Sequence, residues 1–231
     1  MHPLGRRLVA EFLGTLLLVT IVVGSGIAAS RLSPADHGLQ LLENAAATAL
    51  GLVVLIAVLS PISGAHLNPI VSLVDAGLGR RRWSDVAAYV PIQILGAILG
   101  AFLANLMFGL PAASISTTDR LTPGHALAEV VATAGLIAIV FALARTDRGH
   151  WTPLAVAAWI GSGYFFASST SFANPAVTVG RIFTDTFAGV APTSALVFIA
   201  AQIVGGLLGW AAVLALTGTK KASDSAATAE P

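Results

Sequence analysis

The sequence predicts an all-α membrane protein in which six transmembrane helices and two re-entrant half-helices form an inverted three-span repeat. Three observations carry that expectation. The 231 residues are 56% hydrophobic and only 10% charged, whereas a soluble domain carries about 25% charged residues to cover its surface. Apolar stretches near the ~20 residues needed to cross a bilayer recur along the chain. Finally, an Asn-Pro pair occurs twice, at Asn68-Pro69 and Asn174-Pro175, each where a polar loop runs into an apolar segment.

The readable spans cover 8–29, 41–60, 86–108, 126–144, 152–172 and 192–217. The first follows Arg6 and Arg7, as a signal peptide would, but its apolar run is too long for a signal core and contains Glu11, so it reads as a retained span. Six crossings return both termini to one side. Arg6, Arg7, Arg80, Arg81, Arg82, Arg145, Arg148, Lys220 and Lys221 fall there, leaving Arg31, Arg120 and Arg181 opposite. Nine basic residues against three make that side cytoplasmic. The segment 218–231 is poor in apolar residues and is expected to be a disordered cytoplasmic tail.

The halves repeat, and landmarks recur in the same order. Ala10-Glu11 recurs as Ala128-Glu129, Asn68-Pro69 as Asn174-Pro175, and Gln93-x-x-Gly96-x-x-x-Gly100 as Gln202-x-x-Gly205-x-x-x-Gly209. The repeats are read as about 5–108 and 125–217 within one domain of residues 1–217. Three spans per repeat is odd, so the second copy is inverted, which places a transport path at the repeat interface. The spaced glycines are read as close-packing positions between helices.

Each Asn-Pro suits the start of a helix, since Asn is a preferred N-cap and Pro fits the first turn. About ten residues of helix span ~15 Å, half of the hydrocarbon core. Two such half-helices entering from opposite faces would meet at the midplane. Their N-termini carry unpaired N–H groups and about half a positive charge each, which disfavours any cation there. Irregular backbone at this depth requires a protein-buried or water-lined setting.

The segments Ala10-Glu11-Phe12-Leu13-Gly14-Thr15, Ser63-Gly64-Ala65-His66-Leu67-Asn68-Pro69 and Asn174-Pro175-Ala176, with the Gln-x-x-Gly repeats, resemble the major intrinsic proteins, the aquaporins and aquaglyceroporins. The resemblance implies a homotetramer with one pore per protomer, a multi-pass protein of a bacterial-type inner membrane. It implies Asn68, Pro69, Ile70, Asn174, Pro175 and Ala176 as the pore motif, and Glu11 and Glu129 as acceptors that hold the loops. His66 is read as a pore-lining or loop-bracing residue. By spacing from the asparagines, the resemblance assigns the outer filter to Thr48, Ser162 (or Gly163 with a register slip), Ser171 and Val177. Val177 stands where the family resembles itself in an arginine, and Ile70 where alanine is usual. Four small filter side chains imply a wide aperture, and Ile70 adds bulk at the midplane. Arg181 and Asp185, four residues apart on one helix face, are read as a pair anchoring the mouth; alternatively, Arg181 is a displaced selectivity charge.

The expected function is therefore a passive channel for small uncharged solutes. Bacterial members lacking the filter arginine are similar to channels linked with metalloids, so arsenite, antimonite or methylated arsenicals lead, with water, glycerol and urea next. A poorly conducting structural tetramer plugged by Ile70 is the remaining alternative. No cofactor is implied. There is no cysteine, no ligand spacing for a metal around His66, and no hydrolase or zinc-protease motif, so an enzyme is not expected. A net charge of +1 gives no reason to invoke nucleic acid.

Overall fold

The computed structural model describes residues 2–218. Among these described residues eight α-helices follow one another: α1 Leu4–Leu32, α2 His37–Ser63, α3 Pro69–Gly77, α4 Trp83–Met107, α5 Pro123–Arg145, α6 Thr152–Phe166, α7 Pro175–Arg181 and α8 Pro192–Thr217. The order within α1–α4 (long, long, short, long) recurs in α5–α8, with the second helix of that set, α6, cut to 15 residues. Among the described residues, α1, α2, α4, α5 and α8 are each long and apolar enough to cross a bilayer. Their outward faces are apolar too, as at Leu50, Val54, Leu196 and Leu207. A soluble protein would not leave such faces bare.

The fifth span departs from expectation. Instead of reaching residue 172, α6 stops at Phe166 after 15 residues, about 22 Å. A single 3-10 turn, Gly149–Trp151, extends it at its start. The chain then leaves the helix through Ser168-Ser169-Thr170-Ser171, residues whose hydroxyls offer the backbone an alternative to helix bonds. The tail expected at 218–231, with Lys220 and Lys221, lies outside the described residues except for Gly218.

Helices α1 and α4 form one tightly packed pair and α5 and α8 the other, while α2 meets α6 between them. The spaced glycines are what bring the pairs together. A Cβ on Gly96 would lie 2.6 Å from the Phe12 carbonyl, and one on Gly209 would lie 2.6 Å from the Ala134 carbonyl. Without those side chains the backbones touch, which in lipid is the main source of helix affinity. Each half-helix sits against both α4 and α8, and α3 meets α7. Arg7 pairs with Asp85 at 2.9 Å, so the start of α1 lies beside the start of α4.

Candidate functional site: two facing half-helices

Two buried carboxylates organise the loops that lead into α3 and α7. Glu11 is fully buried on α1. Its Oε1 accepts from Ser63 Oγ at 2.6 Å and the His66 N–H at 2.9 Å. Its Oε2 accepts from the Leu67 N–H at 2.7 Å and Gln93 Nε2 at 2.8 Å. Glu129 on α5 does the same with Ser169 Oγ (2.6 Å), the Phe172 N–H (2.9 Å), the Ala173 N–H (2.9 Å) and Gln202 Nε2 (2.6 Å). An isolated buried carboxylate is prohibitively costly, but four donors each offset that cost. The loops need these acceptors because their backbone is irregular. Ala65, Leu67, Thr170, Ser171 and Ala173 all adopt left-handed φ between 47° and 65°, a conformation that β-carbon sterics disfavour.

Each asparagine then caps its half-helix. The Asn68 carbonyl oxygen accepts from the Ile70 N–H at 2.9 Å, and that of Asn174 accepts from the Ala176 and Val177 N–H groups at 3.0 and 3.3 Å. The amide nitrogens cross between the repeats: Asn68 Nδ2 donates to the Ala173 carbonyl at 2.8 Å, and Asn174 Nδ2 to the Leu67 carbonyl at 2.7 Å. These exchanged bonds join the two loops where the positive ends of α3 and α7 meet. Each amide keeps a second N–H with no partner among the described residues.

A cavity of about 290 Å³ runs past this junction. Its lining includes Thr48, His66, Asn68, Asn174, Val177 and Arg181. Glu11 and Glu129 stand behind it. Pro69 and Pro175 open the half-helices, and Ala176 is buried within the second. His66 lines the cavity and is also held from both sides: Nδ1 lies 2.9 Å from Ser72 Oγ and Nε2 lies 3.3 Å from Asp75. Asp75 binds Arg80 and Arg81 as well, at 3.1 and 3.0 Å.

Three expectations are corrected. Ser162 is exposed and donates to the Trp159 carbonyl, so it is not a cavity residue. The α6 face that lines the cavity carries Thr152, Val156, Ile160 and Tyr164, spaced four apart. Tyr164 bonds Thr48, with Oγ1 and OH 3.0 Å apart. A two-residue shift rotates a side chain by about 200° around a helix, so spacing carried back from Asn174 lands on the wrong face. Gly163, the register alternative, packs against Ser171. Thr48, Tyr164, Ser171 and Val177 all line the cavity, so of the four expected filter positions the one on α6 carries a tyrosine in place of a small side chain.

Ile70 does not line the cavity. It packs with Val74, Ile137 and Val213 into a space left by Gly206, where a Cβ would approach it to 2.5 Å. Nor does Arg181 pair with Asp185. Asp185 accepts instead from the Thr117 N–H at 2.9 Å and Thr117 Oγ1 at 3.1 Å. Arg181 is buried, donates from Nε to the Ala188 carbonyl, and lays its guanidinium over the Phe172 ring, 3.4 Å from the centroid.

Tyr164, Phe172 and Arg81 are site residues that sequence reasoning did not assign, and Gln93 and Gln202, read there only as repeat landmarks, bond the two carboxylates. The four-residue periodicity of Val156, Ile160 and Tyr164 could have found the first. The polar character of Gln93 and Gln202 within apolar helices could have pointed to that role. Among the described residues no cluster of three metal-ligating side chains occurs.

The comparisons agree with this architecture. The family model described as Major intrinsic protein matches residues 2–173. The chain is 50% identical over 202 residues to the protein named Aquaglyceroporin AqpS of Rhizobium meliloti (strain 1021), covering 87% of this chain and 86% of that one. It is 32% identical over 224 residues to Aquaporin NIP1-3 of Oryza sativa subsp. japonica, covering 91% and 75%. The X-ray structure of the aquaglyceroporin from Plasmodium falciparum superposes with a TM-score of 0.64 over 90% of this chain and 95% of that one, at 24% identity, a likeness of fold. With two asparagine-capped half-helices facing each other inside a six-helix bundle, and with relatives matched over most of its length, the chain belongs to the major intrinsic protein family, whose members are channels rather than enzymes.

Proposed function

We propose that this protein is a passive channel of the aquaglyceroporin type, passing small uncharged solutes down their gradients. The single observation that supports this most is the junction of α3 and α7 beside a lined cavity. Positive helix ends meet there, and neutral polar groups from Asn68 and Asn174 remain available. A neutral solute can exchange hydrogen bonds with those amides, whereas a cation meets two like-signed dipoles.

The metalloid reading is the finer proposal. Arsenite, antimonite or methylated arsenicals carry hydroxyl groups on a compact neutral body. The aperture of Thr48, Tyr164, Ser171 and Val177 offers hydroxyls on one part and an apolar patch on another, which suits such solutes. It also suits glycerol and urea, which with water form the second reading. The plugged structural tetramer loses its rationale, because Ile70 lies outside the cavity lining. The proposal includes a homotetramer in the cell membrane with both termini cytoplasmic, and a channel domain of residues 1–217.

Stopped-flow measurements on liposomes test it, with water, glycerol and arsenite on one panel. Arsenite and glycerol flux well above that of empty liposomes is expected. Water flux without flux of any metalloid or polyol would refute the solute class.

A further inference from the structure

We propose that Arg181 supplies the charge and the hydrogen-bond donors of the solute filter from one helical turn beyond Val177, so that the filter's cation is displaced, not lost. This inference rests on the channel reading above.

Val177 and Arg181 lie four residues apart on α7 and therefore share a face, and both line the cavity. The manner in which Arg181 is held is the central observation. A buried arginine that served only as an anchor would be expected to meet a carboxylate. Arg181 meets none among the described residues. Its partners are a neutral carbonyl, that of Ala188, and the face of Phe172. Both position a guanidinium while leaving its charge uncancelled. The neighbouring charge has the same sign: Arg120 approaches the Phe172 ring at 5.6 Å and donates to the Gly189 and Phe187 carbonyls. Two guanidiniums thus share the Phe172 ring, and the nearest carboxylate, Glu129, is taken up by the loop N–H groups behind it.

The donors follow the same logic. A guanidinium carries five N–H groups, and Arg181 uses the one on Nε. Neither Nη group has a partner among the described residues. The same cavity holds the Thr48–Tyr164 hydroxyl pair, while the Ser171 hydroxyl is buried against Gly163. Hydroxyls both donate and accept, whereas the guanidinium only donates. A neutral solute bearing hydroxyl groups can satisfy both kinds of partner at once. A cation can satisfy the hydroxyls only while facing Arg181. The chemical class selected is therefore the small neutral hydroxylated solute, with cations rejected by Arg181 in addition to the half-helix ends.

The test uses the full chain in liposomes. It reads potassium and proton leak under an imposed gradient together with glycerol and water flux. Arg181→Gln, which removes the charge and keeps donors, and Arg181→Ala are expected to raise cation leak about tenfold or more, while Arg181→Lys stays near wild type. Adding Val177→Arg to Arg181→Ala is expected to restore tightness, which a merely structural role for Arg181 would not allow. Should Arg181→Ala fail to reconstitute, the Gln and Lys variants carry the comparison. Cation leak unchanged in Arg181→Gln, or leak that Val177→Arg does not reverse, would overturn the proposal. A wild-type protein that passes no solute would instead overturn the channel reading, so the two failures are distinguishable.

Discussion

Residues 63–77 and 169–181 are two copies of one device, built alike where they hold the backbone and built oppositely where they face the cavity. Ser63 and Ser169, Ser72 and Thr178, Gln93 and Gln202, and Glu11 and Glu129 make matching hydrogen bonds in the two loops. At the same 106-residue offset as the asparagines, however, His66 corresponds to Phe172 and Asp75 to Arg181. The first loop ends in a carboxylate that binds a histidine and two arginines. The second ends in an arginine that lies on an aromatic ring. Groups that satisfy buried backbone cannot change without stranding an N–H in the bilayer, so they stay alike. Groups that face the cavity carry no such obligation, and they differ between the two copies.

The comparison breaks most severely if the two carboxylates are unequal. Glu11→Ala and Glu129→Ala each strand two backbone N–H groups, a hydroxyl and an amide. At about 1–3 kcal/mol per buried unsatisfied group, both variants are expected to lose the folded protein to the same degree. Yield and thermal melting in detergent measure this. A folded, conducting Glu129→Ala would show that the second loop does not depend on its carboxylate.

A smaller effect separates packing from lining. Ile70→Ala empties the space beside Gly206 and should cost about 2–5 kcal/mol of stability, with solute ranking unchanged because Ile70 lies off the cavity. Gly206→Ala crowds the same contact and should destabilise, with partial recovery in the double variant. If Ile70→Ala instead raises flux severalfold without loss of stability, the side chain faces the solute after all.

The smallest expected effects sharpen the aperture. Tyr164→Phe removes the hydroxyl bonded to Thr48, a bond worth about 0.5–1.5 kcal/mol. It should lower glycerol flux severalfold relative to water, whereas Ser162→Ala leaves both unchanged. The reverse ranking would return Ser162 to the filter.

Much of this was legible in the sequence, for physical reasons that differ from residue to residue. Hydropathy exposes long spans because the bilayer admits little else. Asn-Pro marks a helix start because the cap and the fixed φ are local properties. The duplicated Gln-x-x-Gly segments betray close helix approach because only a missing side chain permits it. The end of α6 was not legible. It depends on Ser169, Phe172 and Ala173 turning toward Glu129, some 40 residues earlier. Asp185 was not legible either, since Thr117, on a distant loop, takes the carboxylate that a four-residue spacing had offered to Arg181.

The sequence alone determined the membrane setting, the inverted repeat, the two capped half-helices and the absence of an arginine at position 177, because each follows from composition or from contacts within a few residues. Only the tertiary structure decided that Tyr164 and not Ser162 lines the cavity, that Ile70 fills the space at Gly206, and that Arg181 lies on Phe172 without a carboxylate partner. Those outcomes are contacts between residues far apart in the chain, and their geometry is set by how closely the glycine-lined helices pack.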